Sequence, residues 1–393
     1  MDRATATALG LAVAVTAAMS PGARAAEWTV VPTVSTSVDN DTNRLLTSPA
    51  IPSGGLWMSV DTRLERDTER LQLALRPQFH FERYTDARIG HTDDEGIDAT
   101  AIWLETERSS LSLHSLLQDA STLYSELEET GVIHVGQRRR DEDFDGSWAY
   151  QQTERWTLQL TGAYASSKYH GSDSSALSDY GQKSGGATES YAFTERLGFS
   201  LSAAAGDART GGLEESTRFE SLQAGFQWQP TERSSISGTG GESRQKTLGL
   251  TSTSFIGQLS ASYRTELASF ALSALRQVQP TGLGVFTQVE QASLSGTRQI
   301  APRLSLGSNV TIYRDTSAFH SPLFSFTFAD RTYSEGDVQL SWQKNPFWTL
   351  SMQVLYDRAD SPRSFLLPLG LHADGWRASL SATWAPHGAS LSR

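Results

Sequence analysis

The chain has no cysteine. That excludes a disulfide scaffold, a thiolate metal site and a thiol nucleophile. Beyond its first residues it has no apolar run approaching the ~20 residues that a membrane-crossing helix needs. Basic residues are the minority, 33 Lys and Arg against 44 Asp and Glu, for a net charge of -11. Nucleic-acid binding needs clustered cations to neutralise phosphate, so such a partner is not expected. The chain also lacks a G-x-S-x-G elbow and a phosphate-binding loop. Its histidines, His80, His91, His114, His134, His170, His320, His372 and His387, show no metal-ligand spacing. Neither an enzyme nor a bound cofactor is expected. Serine is abundant, so a lipid-active hydrolase with an outward Ser–His pair stays open as a minor alternative.

Residues 1–25 read as a secretory signal peptide. Arg3 supplies the positive end, Ala4 to Ala18 the short apolar stretch, and Ala23-Arg24-Ala25 the small-x-small cleavage site. Residues 26–393 then form one domain.

A polar break recurs along that domain: Thr68-Glu69-Arg70, Thr106-Glu107-Arg108, Thr153-Glu154-Arg155, Thr194-Glu195-Arg196 and Thr231-Glu232-Arg233. Thr265-Glu266, the stretch Gln299 to Arg303, and Lys344-Asn345-Pro346 hold equivalent places. Around these breaks apolar and polar residues alternate. Leu71, Leu73 and Leu75 interleave with Gln72, Ala74 and Arg76, and Trp348, Leu350 and Met352 with Thr349, Ser351 and Gln353. Period two is the mark of strands with two unlike faces.

A sandwich or propeller buries the apolar face, whereas a membrane barrel turns it to lipid. Two features join the leader in favouring the barrel. Trp28, Trp103, Trp156, Trp228, Trp342, Trp348 and Trp384 lie near short turns or a terminus, where an interfacial girdle belongs. Short breaks also alternate with long connections such as 40–55, 85–95, 119–130 and 169–187. The expectation is an all-β fold, a transmembrane antiparallel up-and-down β-barrel of about 18 strands with both termini periplasmic. Alternation is weakest near Gly96, Ile133, Thr188 and Val285.

The inferred inner face carries Asp61, Arg63, Glu65, Arg76, His80, Glu82 and Arg377, with glutamines including Gln72, Gln159 and Gln223. Inward charges set ionic selectivity, and amides and hydroxyls suit carbohydrate or water alike. Arg138-Arg139-Arg140, followed by Asp141-Glu142-Asp143, falls near the outer rim. It is a constriction element, an anchor for lipopolysaccharide phosphates, or a solvated strand end whose charges cancel. Asp141, Asp143, Asp145 and Gly146 match the start of a calcium loop, but Gln152 stands where the bidentate Glu belongs, and Ser147 to Thr153 read as strand.

The opening Trp28-Thr29-Val30-Val31-Pro32-Thr33-Val34, then Val38-Asp39-Asn40-Asp41-Thr42-Asn43, resembles a family of Gram-negative outer-membrane barrels that accompany exopolysaccharide synthesis and exosortase gene clusters. The resemblance implies a role in exporting or assembling extracellular polysaccharide and supplies no catalytic residue. The chain departs from outer-membrane barrels that end on an aromatic, since Ala385 to Arg393 trail behind Trp384. The expected partners are outer-membrane lipid and lipopolysaccharide, the barrel-assembly machinery, and polysaccharide or export-complex proteins. A general porin for small hydrophilic solutes, or a structural barrel anchoring partners through its loops, are the alternatives.

Overall fold

The computed structural model describes residues 27–123, 126, 135–171, 177–211, 216–247, 250–282, 286–318, 330–361, 371–386 and 389–391. The leader, the strand starts expected near Ile133, Val285 and Phe328, and His134, His320 and His387 lie outside the described residues.

Among the described residues the chain is a run of antiparallel strands. They are β1 (Glu27–Asp41), β2 (Ser53–Asp67), β3 (Leu71–Tyr84), β4 (Thr92–Thr106), β5 (Ser109–Ser121), β6 (Gln137–Gln151), β7 (Trp156–Gly171), β8 (Tyr180–Ala192) and β9 (Leu197–Thr210). The second half holds β10 (Thr217–Thr231), β11 (Ser234–Thr247), β12 (Leu250–Arg264), β13 (Ala268–Pro280), β14 (Phe286–Ala301), β15 (Leu304–Ser317), β16 (Arg331–Asn345), β17 (Trp348–Ser361) and β18 (Leu371–Trp384), then a short β19 (Ala389–Leu391). Each strand pairs with its sequence neighbour, and β1 pairs with β18, Val38 opposite Leu380. The sheet therefore closes into an eighteen-stranded barrel. Closure removes every free edge, the condition for backbone amides to lie in lipid without loss of hydrogen bonds. Part of the tail behind Trp384 is used as well: β19 pairs with the start of β1, where β18 no longer reaches.

The recurrent break has a local cause. Thr68 Oγ1 accepts the Leu71 amide at 2.9 Å, and Thr194 Oγ1 accepts the amides of Arg196 and Leu197 at 3.2 and 3.0 Å. Thr153 repeats the pattern with Arg155 and Trp156, and Asn345 Oδ1 does the same for Phe347 and Trp348 at 2.9 Å. A short polar side chain that satisfies the amides two and three residues on is a turn device. It recurs at every short turn of one rim except that between β14 and β15, where Gln299 Nε2 donates to the Pro302 carbonyl instead. Both β1 and β18 begin or end at that rim.

The strands place one face outward. Leu56 and Met58 of β2, Phe199 and Leu201 of β9, Leu222 and Trp228 of β10, and Leu380 of β18 are 43–59 % exposed. A protein surrounded by water does not hold such a continuous apolar exterior. Trp103, Trp156, Trp228, Trp342 and Trp348 stand exposed next to the short turns. Tyr356 packs on Trp376 toward the other rim, ring centres 4.7 Å apart. The two aromatic levels bound the apolar band, as lipid interfaces require.

Several strand starts lie ahead of the sequence reading. Strand β8 begins at Tyr180, ahead of the expected Thr188, and β4 begins at Thr92, ahead of Gly96. The early part of β8 holds Gly181, Ser184, Gly185 and Gly186. Such residues show no apolar alternation, and only the ladders to β7 and β9 make them strand.

Candidate functional site

Alternation fixes what faces the lumen, because residues opposite in parity to the exposed apolar set point inward. Asp61, Arg63 and Glu65 of β2, Arg76, His80 and Glu82 of β3, and Arg377 of β18 all fall on that inner face.

A row of charges crosses five strands there. Arg76 Nη2 lies 2.5 Å from Asp61 and stands directly opposite Asp98 of β4. His114 of β5 lies 3.5 Å from Asp98 on one side and 3.5 Å from Asp145 of β6 on the other. The order Asp61, Arg76, Asp98, His114, Asp145 thus alternates carboxylate with cation or imidazole around the wall. Asp141 and Asp143 extend the acidic side along β6. The candidate calcium-loop residues Asp141, Asp143 and Asp145 are therefore successive inward positions of an extended strand and do not wrap a common centre. Among the described residues no group of three or more His, Asp or Glu is placed to hold a metal ion.

The opposite wall is built differently. From β8 to β14 the inward positions carry no charged side chain among the described residues, apart from Arg264 at the short-turn rim. Gln182, Ser202, Gln223, Thr239, Gln258 and Gln291 represent it. Hydroxyls bond across the ladders, Ser237 to Ser260 at 2.7 Å and Ser273 to Ser293 at 2.6 Å.

The arginine triplet is divided by the pleat of β6. Arg139 points inward and is buried. Its Nε lies 2.7 Å from Asp141, and its guanidinium covers the Tyr180 ring at 5.6 Å. Arg138 and Arg140 share the outward face with Phe144, Arg138 paired to Asp119 at 2.7 Å and Arg140 to Glu142 at 3.8 Å. One run of three like charges in sequence is therefore two sites on opposite sides of the wall.

The sequence reading missed the elements that fill the loop-side mouth. The connection after β1, residues 42–52, folds into the lumen. Arg44 Nη2 reaches both carboxylate oxygens of Asp39 at 2.7 Å, with side chains only 3 % and 4 % exposed. Its guanidinium also covers the Tyr84 ring at 4.9 Å. Asp41 takes Arg377 Nε at 2.9 Å. Asn43 ties the turn together, accepting from the amides of Thr47 and Ile51 and donating to the Asp374 carbonyl of β18 at 3.1 Å. Leu46 sits at φ 43°, a backbone strained for a branched side chain. It is held there by packing against Tyr333, Ala359 and Ala373. Leu45 packs the other way, on Tyr84, Ile89 and Leu123.

Glu126 adds a second inward element. Its carboxylate takes the Tyr169 hydroxyl at 2.7 Å and Arg139 at 3.5 Å. A third comes from the end of β13, where the Gly282 carbonyl accepts the Ser178 amide at 2.6 Å, although β13 neighbours neither β7 nor β8 around the barrel. The polar string Asp39-Asn40-Asp41-Thr42-Asn43-Arg44 is visible in sequence, but nothing in it tells an outward loop from an inward one.

No family model matches the chain, and no curated protein does. Solved structures similar in chain course include OccK2 (OpdF) of Pseudomonas aeruginosa in complex with glucuronate, 12 % identical, with a TM-score of 0.48 over 91 % of this chain and 98 % of that one. OccAB1 of Acinetobacter baumannii is 10 % identical, with a TM-score of 0.47 over 91 % and 96 %. The outer membrane protein opdK of Pseudomonas aeruginosa is 10 % identical, with a TM-score of 0.45 over 91 % and 99 %. No residue of this chain takes a role from these likenesses.

Proposed function

We propose that the chain is an outer-membrane porin for small hydrophilic solutes, with a preference for cations over anions. The observation that carries this is the two-sided lumen within a closed, lipid-facing barrel. The barrel spans the outer membrane of a Gram-negative bacterium, with its short turns and both termini on the periplasmic side. Charge on a narrow aqueous wall selects ions, and hydroxyls and amides replace the hydration of neutral polar solutes. The inner wall carries Asp61, Glu65, Asp98, Asp143, Asp145, Glu335 and Asp337 against Arg63, Arg76, Arg377 and His114, so the local field favours cations.

The crossing of the mouth by residues 42–52 and by Glu126 favours small solutes over a polysaccharide chain. A polymer in transit needs an unobstructed bore along its whole length. No catalytic role is assigned to any residue.

Planar bilayers test this reading. Under a salt gradient the purified protein is expected to give a reversal potential of cation-selective sign. Asp98→Asn, Asp143→Asn and Asp145→Asn together should move it toward zero. Absence of conductance from folded protein, with residues 42–52 released by Arg44→Ala as well as without, would refute the porin.

A further inference from the structure

The outward face of β10 to β15 is not uniformly bulky. Gly238 and Gly240 of β11, Gly257 of β12, Ala274 of β13 and Ala292 of β14 lie where neighbouring strands present Phe226, Phe255, Leu259 and Ile312. Gly240 stands directly opposite both Ala224 and Gly257. The result is an exterior groove of about 880 Å³, within the size range of ligand sites. Its walls are aromatic and aliphatic, and its floor is backbone and methyl groups.

The loop-side end of the groove carries two guanidinium groups. Arg276 and Arg314 stand on either side of Glu290, each directly opposite it in the ladder. Arg276 Nη1 is 3.4 Å from Glu290 and Arg314 Nη1 is 4.0 Å, so two guanidinium groups share one carboxylate at loose distances. Arg314 also lies 4.0 Å from Asp330, and Arg276 Nη2 donates to Gln288 at 3.2 Å. Arg276 Nε is buried without a hydrogen-bond partner among the described residues. Both side chains stay accessible, 40 % and 57 % exposed.

We infer that this groove holds one phosphorylated acyl lipid of the outer leaflet, its phosphate on Arg276 and Arg314 and an acyl chain along the glycine and alanine floor. The inference rests on the barrel's outer-membrane placement and on no property of the lumen. Charge and apolarity separate along the groove as they do along a lipid. The cations occur only at the end that faces the outer leaflet. Guanidinium groups bind phosphate oxygens with paired hydrogen bonds, and the two arginines have donors to spare.

The test uses the whole chain, stripped of native lipid in dodecyl maltoside, with bisphosphorylated hexa-acyl lipid A as probe and native mass spectrometry as readout. A one-to-one complex is expected. Arg276→Gln with Arg314→Gln should weaken it by about 25-fold, about fivefold for each cation. Ala292→Phe fills the groove with both arginines left in place and should also release the lipid. Each variant is first checked for a folded barrel by its heat-modifiable migration. Equal retention of dephosphorylated lipid A, indifference to the arginine pair, or full displacement by millimolar inorganic phosphate would overturn the lipid assignment. A dimer broken by Ala292→Phe would overturn it too, in favour of a second copy. None of these outcomes bears on conductance.

Discussion

Arg44→Ala should open the mouth of the barrel. The reason is local. Arg44 Nη2 holds both oxygens of Asp39 at 2.7 Å, Nη1 lies 3.9 Å from Asp41, and all three side chains are nearly inaccessible. Removing one partner of a buried pair costs about 3–5 kcal/mol, because the other charge stays buried and unpaired. Lumen water lies close, so the low end applies, about 3 kcal/mol. The barrel ladders do not depend on this contact, so the loss falls on docking of residues 42–52 and not on global unfolding. A shift of that size raises the undocked population about a hundredfold. The assay is single-channel recording beside limited proteolysis of the loop. Mean conductance or open probability should rise, and cleavage within 42–52 should accelerate. Asp39→Ala with Arg44→Ala should cost less than the sum of the two single changes, since the double variant leaves no orphan charge. Unchanged conductance together with unchanged cleavage in Arg44→Ala would show that the ion pair does not hold the loop.

Gly55 lies beneath the same clamp, and a Cβ there would fall on the Asp39 carboxylate and within 2.5 Å of Arg44 Nη2; Gly55→Ala should therefore mimic Arg44→Ala in proteolysis. On the lipid face, Leu222→Arg should destabilise the barrel by ~2–4 kcal/mol in reversible unfolding into vesicles. One residue on, Gln223→Arg points into the lumen and should leave stability near wild type while shifting reversal potential toward anions. Thr194→Val removes the acceptor of two turn amides and should cost about 1–2 kcal/mol in the same unfolding assay, with conductance unchanged.

Much of this barrel was written in local chemistry. The turn-forming Thr or Asn of all but the β14–β15 break and the parity of Leu, Phe and Trp between breaks are nearest-neighbour properties. They determined eight hairpins, their inner and outer faces and the strand count of the barrel. Asp61, Arg76 and Arg377 could be assigned to a face because the pleat has period two. The first half of β8 escaped, since Gly181, Gly185 and Gly186 carry no pattern and become strand only by pairing.

Tertiary structure decided the rest. A sequence does not say whether Asp39-Asn40-Asp41-Thr42-Asn43-Arg44 leaves the rim outward or turns in, because the choice depends on Tyr84, Tyr333 and Ala373, which close around the loop only after distant strands have paired. The five-strand charge row and the exterior groove have the same origin. Their members lie tens of residues apart in the chain and are neighbours only through ladder register, which closure of the barrel imposes on all strands at once.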